Sequence, residues 1–213
     1  VKNFTLDIDE LQGRLSYHLP GWEAQKNMAP TGRVHIPPAD MVPIESAVLL
    51  LLVKNSADYE IVFIQRTEDD GPHSGQISFP GGRREPHDKT LLDTALREAT
   101  EEIALKCNHL KVLGQLTPLY VPTSNFMIYP FIGFADGCDH FRPQPDEVQK
   151  VIRVRLNDIL DRNHRRIEVF TSSAGDSYKA PAYFIEEVRI WGATAMIVSE
   201  FCEIISSLDR ENR

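Results

Sequence analysis

The chain is poor in cysteine, short of positive charge and without a long apolar run, and each shortage removes a class of protein. Cys107, Cys138 and Cys202 are the only cysteines in 213 residues, and none forms a Cys-x-x-Cys pair. An odd, widely spaced set predicts neither a disulfide framework nor a zinc site, and a reducing cytoplasm is the compartment it fits. The seven histidines are scattered without a His-x-x-x-His pair, so none is read as a metal ligand. The longest unbroken apolar run, Ala47 to Val53, falls far short of the roughly 20 residues of a membrane helix. No signal-peptide pattern precedes it, although the chain opens on Val1 rather than Met. A net charge of −8 argues against a nucleic-acid groove, which would cluster Lys and Arg. Arg153, Arg155, Arg162, Arg165 and Arg166 do cluster, but Asp158 and Asp161 interrupt them. They read as solvated surface, with one or two left to meet an anionic substrate.

With 42% hydrophobic and 25% charged residues, the composition is that of one globular domain with a full core and an N-terminal extension. Leu6, Ile8, Leu11 and Leu15 mark an amphipathic helix within Phe4 to Gln25, opening near Asp7 or Asp9. A Pro-rich connector runs from Pro30 to Pro43. The division expected is a helical arm and connector over 1–43 and the main globular domain over 44–213. The arm packs on that domain or on a second subunit, so a homodimer is left open. Ala47–Val53 and Ile61–Arg66 predict a hairpin of buried strands turning at Asn55–Tyr59, and Gln76–Phe79 a short strand. Further strands are expected at Lys111–Leu119, Met127–Phe134 and Val151–Val154, and a closing amphipathic helix at Ala193–Leu208. Strands on either side of a central helix give an α/β protein with a mixed sheet between helices.

The central helix carries the chemistry. Between Thr90 and Ile103, Leu92, Leu96, Ala99 and Ile103 recur at the spacing of one buried stripe. Glu98, Glu101 and Glu102 then fall on the neighbouring surface. Glu98 lies one turn from both of the others, so the three repel. An ordinary solvated acidic face with an Arg97–Glu101 ion pair is one reading. The other is a bound Mg²⁺ or Mn²⁺, since hard divalent ions take carboxylate oxygens. The turn Phe79-Pro80-Gly81-Gly82 ahead of the helix favours the ion, because glycine permits the close backbone approach that a Gly81 carbonyl ligand would need.

Gly82 through Leu105 resembles the Nudix box, the loop and helix shared by hydrolases of nucleoside diphosphates linked to another moiety. Arg97, Glu98, Ala99, Glu101, Glu102 and Leu105 fall on its pattern. Three positions depart from it. The interval from Gly82 to Arg97 is one residue longer, Lys89 stands where counting back from Arg97 expects a glutamate, and Ala104 replaces the final glycine. Glu85 or Asp88 could take the missing glutamate's part.

The lengthened loop resembles the coenzyme A pyrophosphatase branch. Arg66-Thr67, His73, Gly75-Gln76-Ile77-Ser78 and Phe79-Pro80-Gly81-Gly82 follow that branch in order, whereas Asp70-Gly71 stand where it has Leu-Arg. Leu116–Leu119, Tyr129–Gly133 and Ile190–Ala195 extend the likeness, which spans Ile44 to Phe201. The resemblance implies a Nudix-type α/β/α sandwich and metal-assisted attack of water on a pyrophosphate phosphorus. Coenzyme A or acyl-CoA would give adenosine 3′,5′-bisphosphate and 4′-phosphopantetheine. Expected metal ligands are Glu98, Glu101, Glu102 and Gly81. Arg97 would orient the glutamates, with Glu101 and Glu147 as the other catalytic groups and Glu147 the candidate base. Arg66, Gly75 and Gln76 are the substrate-binding candidates. ADP-ribose or a dinucleotide is the alternative substrate, favoured by Asp70-Gly71. A catalytically silent ligand-binding regulator is the alternative of another class, opposed by the intact glutamates and by the short chain left for a DNA-binding domain.

Overall fold

A computed structural model describes residues 6–55, 58–67, 75–107, 109–171 and 177–211, with side chains described to residue 208. Asp70, Gly71 and His73 lie outside the described residues, as does part of the turn expected between Asn55 and Tyr59. The centre is β1 (Ile44–Asn55), which runs parallel to β7 (Phe126–Asp136) and antiparallel to β2 (Asp58–Arg66). Leu49 to Val53 are fully buried, as expected of a strand covered on both faces. Their alternation divides two cores. Leu50 and Leu52 face one, built with the C-terminal helix, while Leu49, Leu51 and Val53 face the other, built with the acidic helix. These two layers sandwich the mixed sheet, which is the expected α/β/α arrangement.

β3 (Ile77–Ser78) extends the sheet beyond β2, β5 (Lys111–Gln115) lies beyond β7, and β4 (Gly81–Arg83) pairs with β1. β6 (Leu119–Val121) also pairs with β7, so the single strand expected over Lys111–Leu119 is two. Pro118 lies between them and has no N–H for a ladder. β8 (Val148–Arg155) pairs with β2.

A second sheet was not expected. β9 (Arg165–Thr171), β10 (Ser177–Ile185) and β11 (Val188–Trp191) form it in the order β11-β10-β9. Pro181 within β10 and the alternating charges of β9 obscure the strand pattern. The basic run read as surface is therefore partly a strand, with Arg165 placed over the Tyr183 ring.

The N-terminal arm packs on its own chain. α1 (Ile8–Leu15) is capped by Asp7, which accepts from the N–H groups of Asp9 and Glu10. Leu11 and Leu15 join the core shared with α5 (Gly192–Glu211). Farther along the arm is α2 (Trp22–Gln25). The buried Glu200 of α5 accepts hydrogen bonds from Gly21 N–H, Gln25 Nε2 and Thr117 Oγ1 at 3.1, 2.8 and 2.6 Å. α4 (Leu156–Leu160) closes the turn after β8.

Cys107 and Cys138 form a disulfide, with Cα atoms 5.5 Å apart. This corrects the expectation drawn from their spacing: the two cysteines meet only because the chain beyond the acidic helix and the end of β7 border the same core. The cysteine-based reason for a reducing compartment goes with it. Among the described residues, no helix is long and apolar enough to cross a membrane.

Candidate active site

The site is built where β4 meets α3 (Leu91–Ile103). Thr90 and Asp93 form a reciprocal capping box at the start of α3, which fixes where the helix begins and so where its later turns point. Ala95, Ala99 and Ile103 are buried, and Leu92 and Leu96 pack partly against the same core. At its far end Ala104 takes a left-handed conformation, φ 51° and ψ 46°, the geometry for which glycine is preferred.

The three glutamates are not equivalent. Glu101 is exposed, Glu98 half-buried, and Glu102 only 1% exposed. The expectation that all three lie on the helix surface therefore fails for Glu102, which β4 covers. Its Oε2 accepts from Gly81 N–H at 2.9 Å, and Arg66 Nη1 stands 3.6 Å from its Oε1. Burial pushes the Glu102 carboxyl up to about 8, against the Gly81 hydrogen bond and the Arg66 charge, which pull it down. Burial also raises the Glu98 carboxyl, opposed by Arg97.

Gly81 is sterically required, and Gly82 leaves room for the Glu98 carboxylate. Gly81 has φ 154°, and a Cβ there would strike the backbone of Ala47 and Val48 on β1. A Cβ on Gly82 would stand 2.5 Å from the Glu98 carboxylate. The Gly-Gly pair thus lets β4 lie against β1 while Glu98 and Glu102 approach its backbone.

Arg97 organises the acidic face. Its Nη1 donates to Glu98 Oε1 at 2.9 Å and Glu101 Oε2 at 3.0 Å, and its Nη2 to the Arg83 carbonyl at 3.1 Å. Nε and Nη2 grip the two oxygens of Asp88 at 3.0 and 2.9 Å, the bidentate geometry suited to a guanidinium. Asp88 also accepts from Thr94 Oγ1 and the Glu85 N–H, each at 2.9 Å. Arg97 hydrogen bonds chiefly hold the Asp88 carboxyl well below the usual carboxylate range. Of the two candidates for the missing box glutamate, Asp88 is the one that reaches Arg97. Glu85 contributes its backbone N–H, and the Lys89 carbonyl accepts from Arg84.

Glu147 lies on the turn before β8, and its negative charge raises the carboxyls of both Glu98 and Glu102. Gln144 holds that turn. Its N–H donates to the Glu102 carbonyl at 2.8 Å, while its Oε1 accepts from the N–H groups of Asp146 and Glu147. Arg142 N–H likewise donates to the Ile103 carbonyl, so the loop is tied to the last turn of α3. Sequence reading missed Gln144, whose part depends on a contact with a helix some forty positions earlier. Arg66 is joined to the substrate candidates through the backbone: Arg66 N–H donates to the Gln76 carbonyl at 3.0 Å and Gly75 N–H to the Thr67 carbonyl at 3.2 Å.

Among the described residues no three acidic, histidine or cysteine side chains already converge on one point as a cation cage, because Arg97 holds Glu98 and Glu101 while Gly81 holds Glu102. The donor set nevertheless fits a hard divalent ion, with carboxylates on successive helical turns and a buried one held by little positive charge.

Residues 43–172 match the NUDIX domain family. The chain is 30% identical over 158 residues to an uncharacterized Nudix hydrolase, NudL, of Photorhabdus laumondii, covering 74% of this chain and 83% of the relative. It is 30% identical over 160 residues to NudL of Yersinia enterocolitica, covering 75% and 81%. Among solved structures, the Nudix hydrolase RenU of M. smegmatis superposes with a TM-score of 0.55 at 14% identity, over 85% of this chain and 94% of that one. A MutT/nudix family protein of Enterococcus faecalis gives 0.52 at 15% identity, over 95% and 76%.

Proposed function

The chain belongs to the Nudix family and is a Nudix hydrolase, and from that premise we propose that it cleaves the pyrophosphate of coenzyme A or acyl-CoA. The products are adenosine 3′,5′-bisphosphate and the (acyl-)4′-phosphopantetheine. One observation carries this reading: the segment that resembles the coenzyme A branch ends in the site itself, with Arg66 beside Glu102 and hydrogen-bonded through its backbone to Gln76. A guanidinium in that place can bind a substrate phosphate while it balances the buried carboxylate.

Glu98, Glu101, Glu102 and the Gly81 carbonyl would hold Mg²⁺ or Mn²⁺, which when bound supplies charge for the phosphates and acidifies water. Arg97, anchored by Asp88, orients Glu98 and Glu101 toward that work. Glu147 takes the proton from the attacking water at its carboxylate, and Gln144 sets its place. Arg66, Gly75 and Gln76 bind the substrate. ADP-ribose or a related nucleotide is a second reading, favoured by Asp70-Gly71 in place of Leu-Arg.

A hydrolysis screen over CoA, acyl-CoA, ADP-ribose, NADH and nucleoside triphosphates, with Mg²⁺ or Mn²⁺ and product masses, tests the proposal. Adenosine 3′,5′-bisphosphate from CoA at the highest kcat/KM is the expected result. Faster cleavage of ADP-ribose or NADH would select the second reading, and no cleavage of any substrate would refute both.

A further inference from the structure

The strand that sequence reading overlooked leaves an edge unpaired. β9 bonds to β10 on one side, and among the described residues no strand pairs with its other side. Two other edge strands, β5 and β8, are covered or charged. Leu15 of α1 lies against Gly114 of β5. The apolar residues Val148, Ile152 and Val154 of β8 are buried, and Gln149, Lys150, Arg153 and Arg155 intersperse them. Charged residues of that kind blunt an edge. β9 carries charges too, at Arg165, Arg166 and Glu168, but leaves Ile167 exposed at 74% and Val169 at 57%, beside the half-buried Pro181 that pairs with Ile167.

The other face of β9 carries Arg166 and Glu168, opposite Ala182 and Ala180 of β10. Arg166 stands 5.6 Å over the Phe184 ring, and Glu168 Oε1 lies 3.5 Å from Arg189 while its Oε2 has no hydrogen bond. Two copies of one strand pairing antiparallel about a two-fold axis keep like faces together, so the register can shift only in steps that preserve face. Centred on Arg166, arginine opposes arginine; centred on Glu168, glutamate opposes glutamate. Centred on Ile167, each Arg166 opposes the Glu168 of the other copy, Ile167 meets itself, and Val169 lies against the aliphatic stem of Arg165. Opposite charges directly across a strand pair stabilise it and like charges destabilise it.

We propose that a second copy of this chain occupies this edge, pairing β9 with β9 antiparallel about an axis at Ile167. The two three-stranded sheets then become one six-stranded sheet. The surface is separate from the glutamate site, and the proposal is independent of the substrate.

Light scattering after size exclusion, from low to high micromolar protein, should give a dimer. A monomer throughout would overturn the proposal. Glu168→Arg should weaken dimerisation on the order of tenfold, because two attractive pairs become repulsive. Adding Arg166→Glu to it should restore the dimer; a double variant as monomeric as the single one would refute the register. Cysteine scanning decides the case even where a charge variant fails to fold. Cys107 and Cys138 are bonded and Cys202 is buried, so an introduced thiol is the reactive one. Ile167→Cys, on the axis, should oxidise to a covalent dimer much faster than Val169→Cys. Equal rates, or a faster Val169→Cys, would overturn the pairing. Wild-type hydrolase activity in these variants reports that the fold is intact.

Discussion

Asp88→Asn tests the claim that Asp88 supplies the anchor for Arg97. The substitution keeps the volume and removes the charge from a carboxylate that is 6% exposed. It accepts two parallel bonds from Arg97 at 3.0 and 2.9 Å, one from Thr94 at 2.9 Å and one from the Glu85 N–H at 2.9 Å. An asparagine can accept on one oxygen only, and its NH₂ would face donors. Hydrogen bonds to a charged group contribute about 1.5–3 kcal/mol each, so losing one and neutralising the rest costs about 3 kcal/mol. For a chain of this size that is roughly 6–12 °C in Tm by scanning calorimetry. The sign with pH follows from the depressed Asp88 pKa. A carboxyl held low in the folded state adds its stability above the unfolded value of about 4, and loses it as pH falls through the folded value. The gap between wild type and variant is therefore full at neutral pH and narrows in acid. Glu85→Gln, whose carboxylate does not bind Arg97, should shift Tm little and serves as the control. A gap under about 2 °C at neutral pH, or one that does not narrow below about pH 4, would refute the reasoning.

Glu98→Gln and Glu102→Gln should each lower turnover by at least about a hundredfold in saturating Mg²⁺. Since burial holds Glu102 up to about 8, folding loses stability as pH rises from the unfolded carboxyl value through that range, so Glu102→Gln should melt higher than wild type in metal-free alkaline buffer; a lower Tm there would contradict the burial penalty. Gln144→Ala removes the side-chain acceptor shared by the Asp146 and Glu147 N–H groups, leaving Glu147 N–H only the Gln144 carbonyl at 3.2 Å, and should reduce kcat about tenfold through misplacement of Glu147, with Tm nearly unchanged. An equal loss of kcat in a Glu147→Ala background would mean that Gln144 acts elsewhere. Ala104→Gly relieves the left-handed backbone at φ 51° and should add about 1 kcal/mol, raising Tm by roughly 2–4 °C. Gly71→Arg, made on the resemblance alone, should favour CoA over 3′-dephospho-CoA by about tenfold to a hundredfold in kcat/KM; no change would leave the 3′-phosphate to another residue, with Arg66 first.

What the sequence made legible follows from how local each feature is. The apolar run from Ala47 to Val53 reveals a doubly covered strand, because burial on both faces leaves no alternation to decode. The acidic helix is legible from its own period, and its capping box from two residues three apart. The burial of Glu102 was not, because it depends on β4 crossing above the helix, and β4 is three residues long with two glycines. The same limit hid the disulfide and the support that Gln144 gives Glu147, each a meeting of segments far apart in the chain. The second sheet was lost for a different reason. Its central strand contains a proline and its edge strand alternates charge, so local preference opposed the strand that tertiary pairing imposed.

The one-residue excess in the Nudix box shows how the two levels combine. Counting back from Arg97 puts the expected glutamate at Lys89, so counting forward from Gly82 puts it at Asp88; the sequence cannot choose between the counts. Hydrogen bonding can. Arg97 grips Asp88, while the Lys89 side chain, being cationic, would be repelled from a guanidinium. The extra residue therefore falls after Asp88, in the stretch leading to the Thr90 cap and the first turns of α3, and the loop between Gly82 and Asp88 keeps its length. An aspartate is one methylene shorter than the glutamate it replaces. Because Thr94 on the first turn of α3 also donates to Asp88, the lengthened approach to the helix and the shortened side chain act together to keep Arg97 within reach of Glu98 and Glu101.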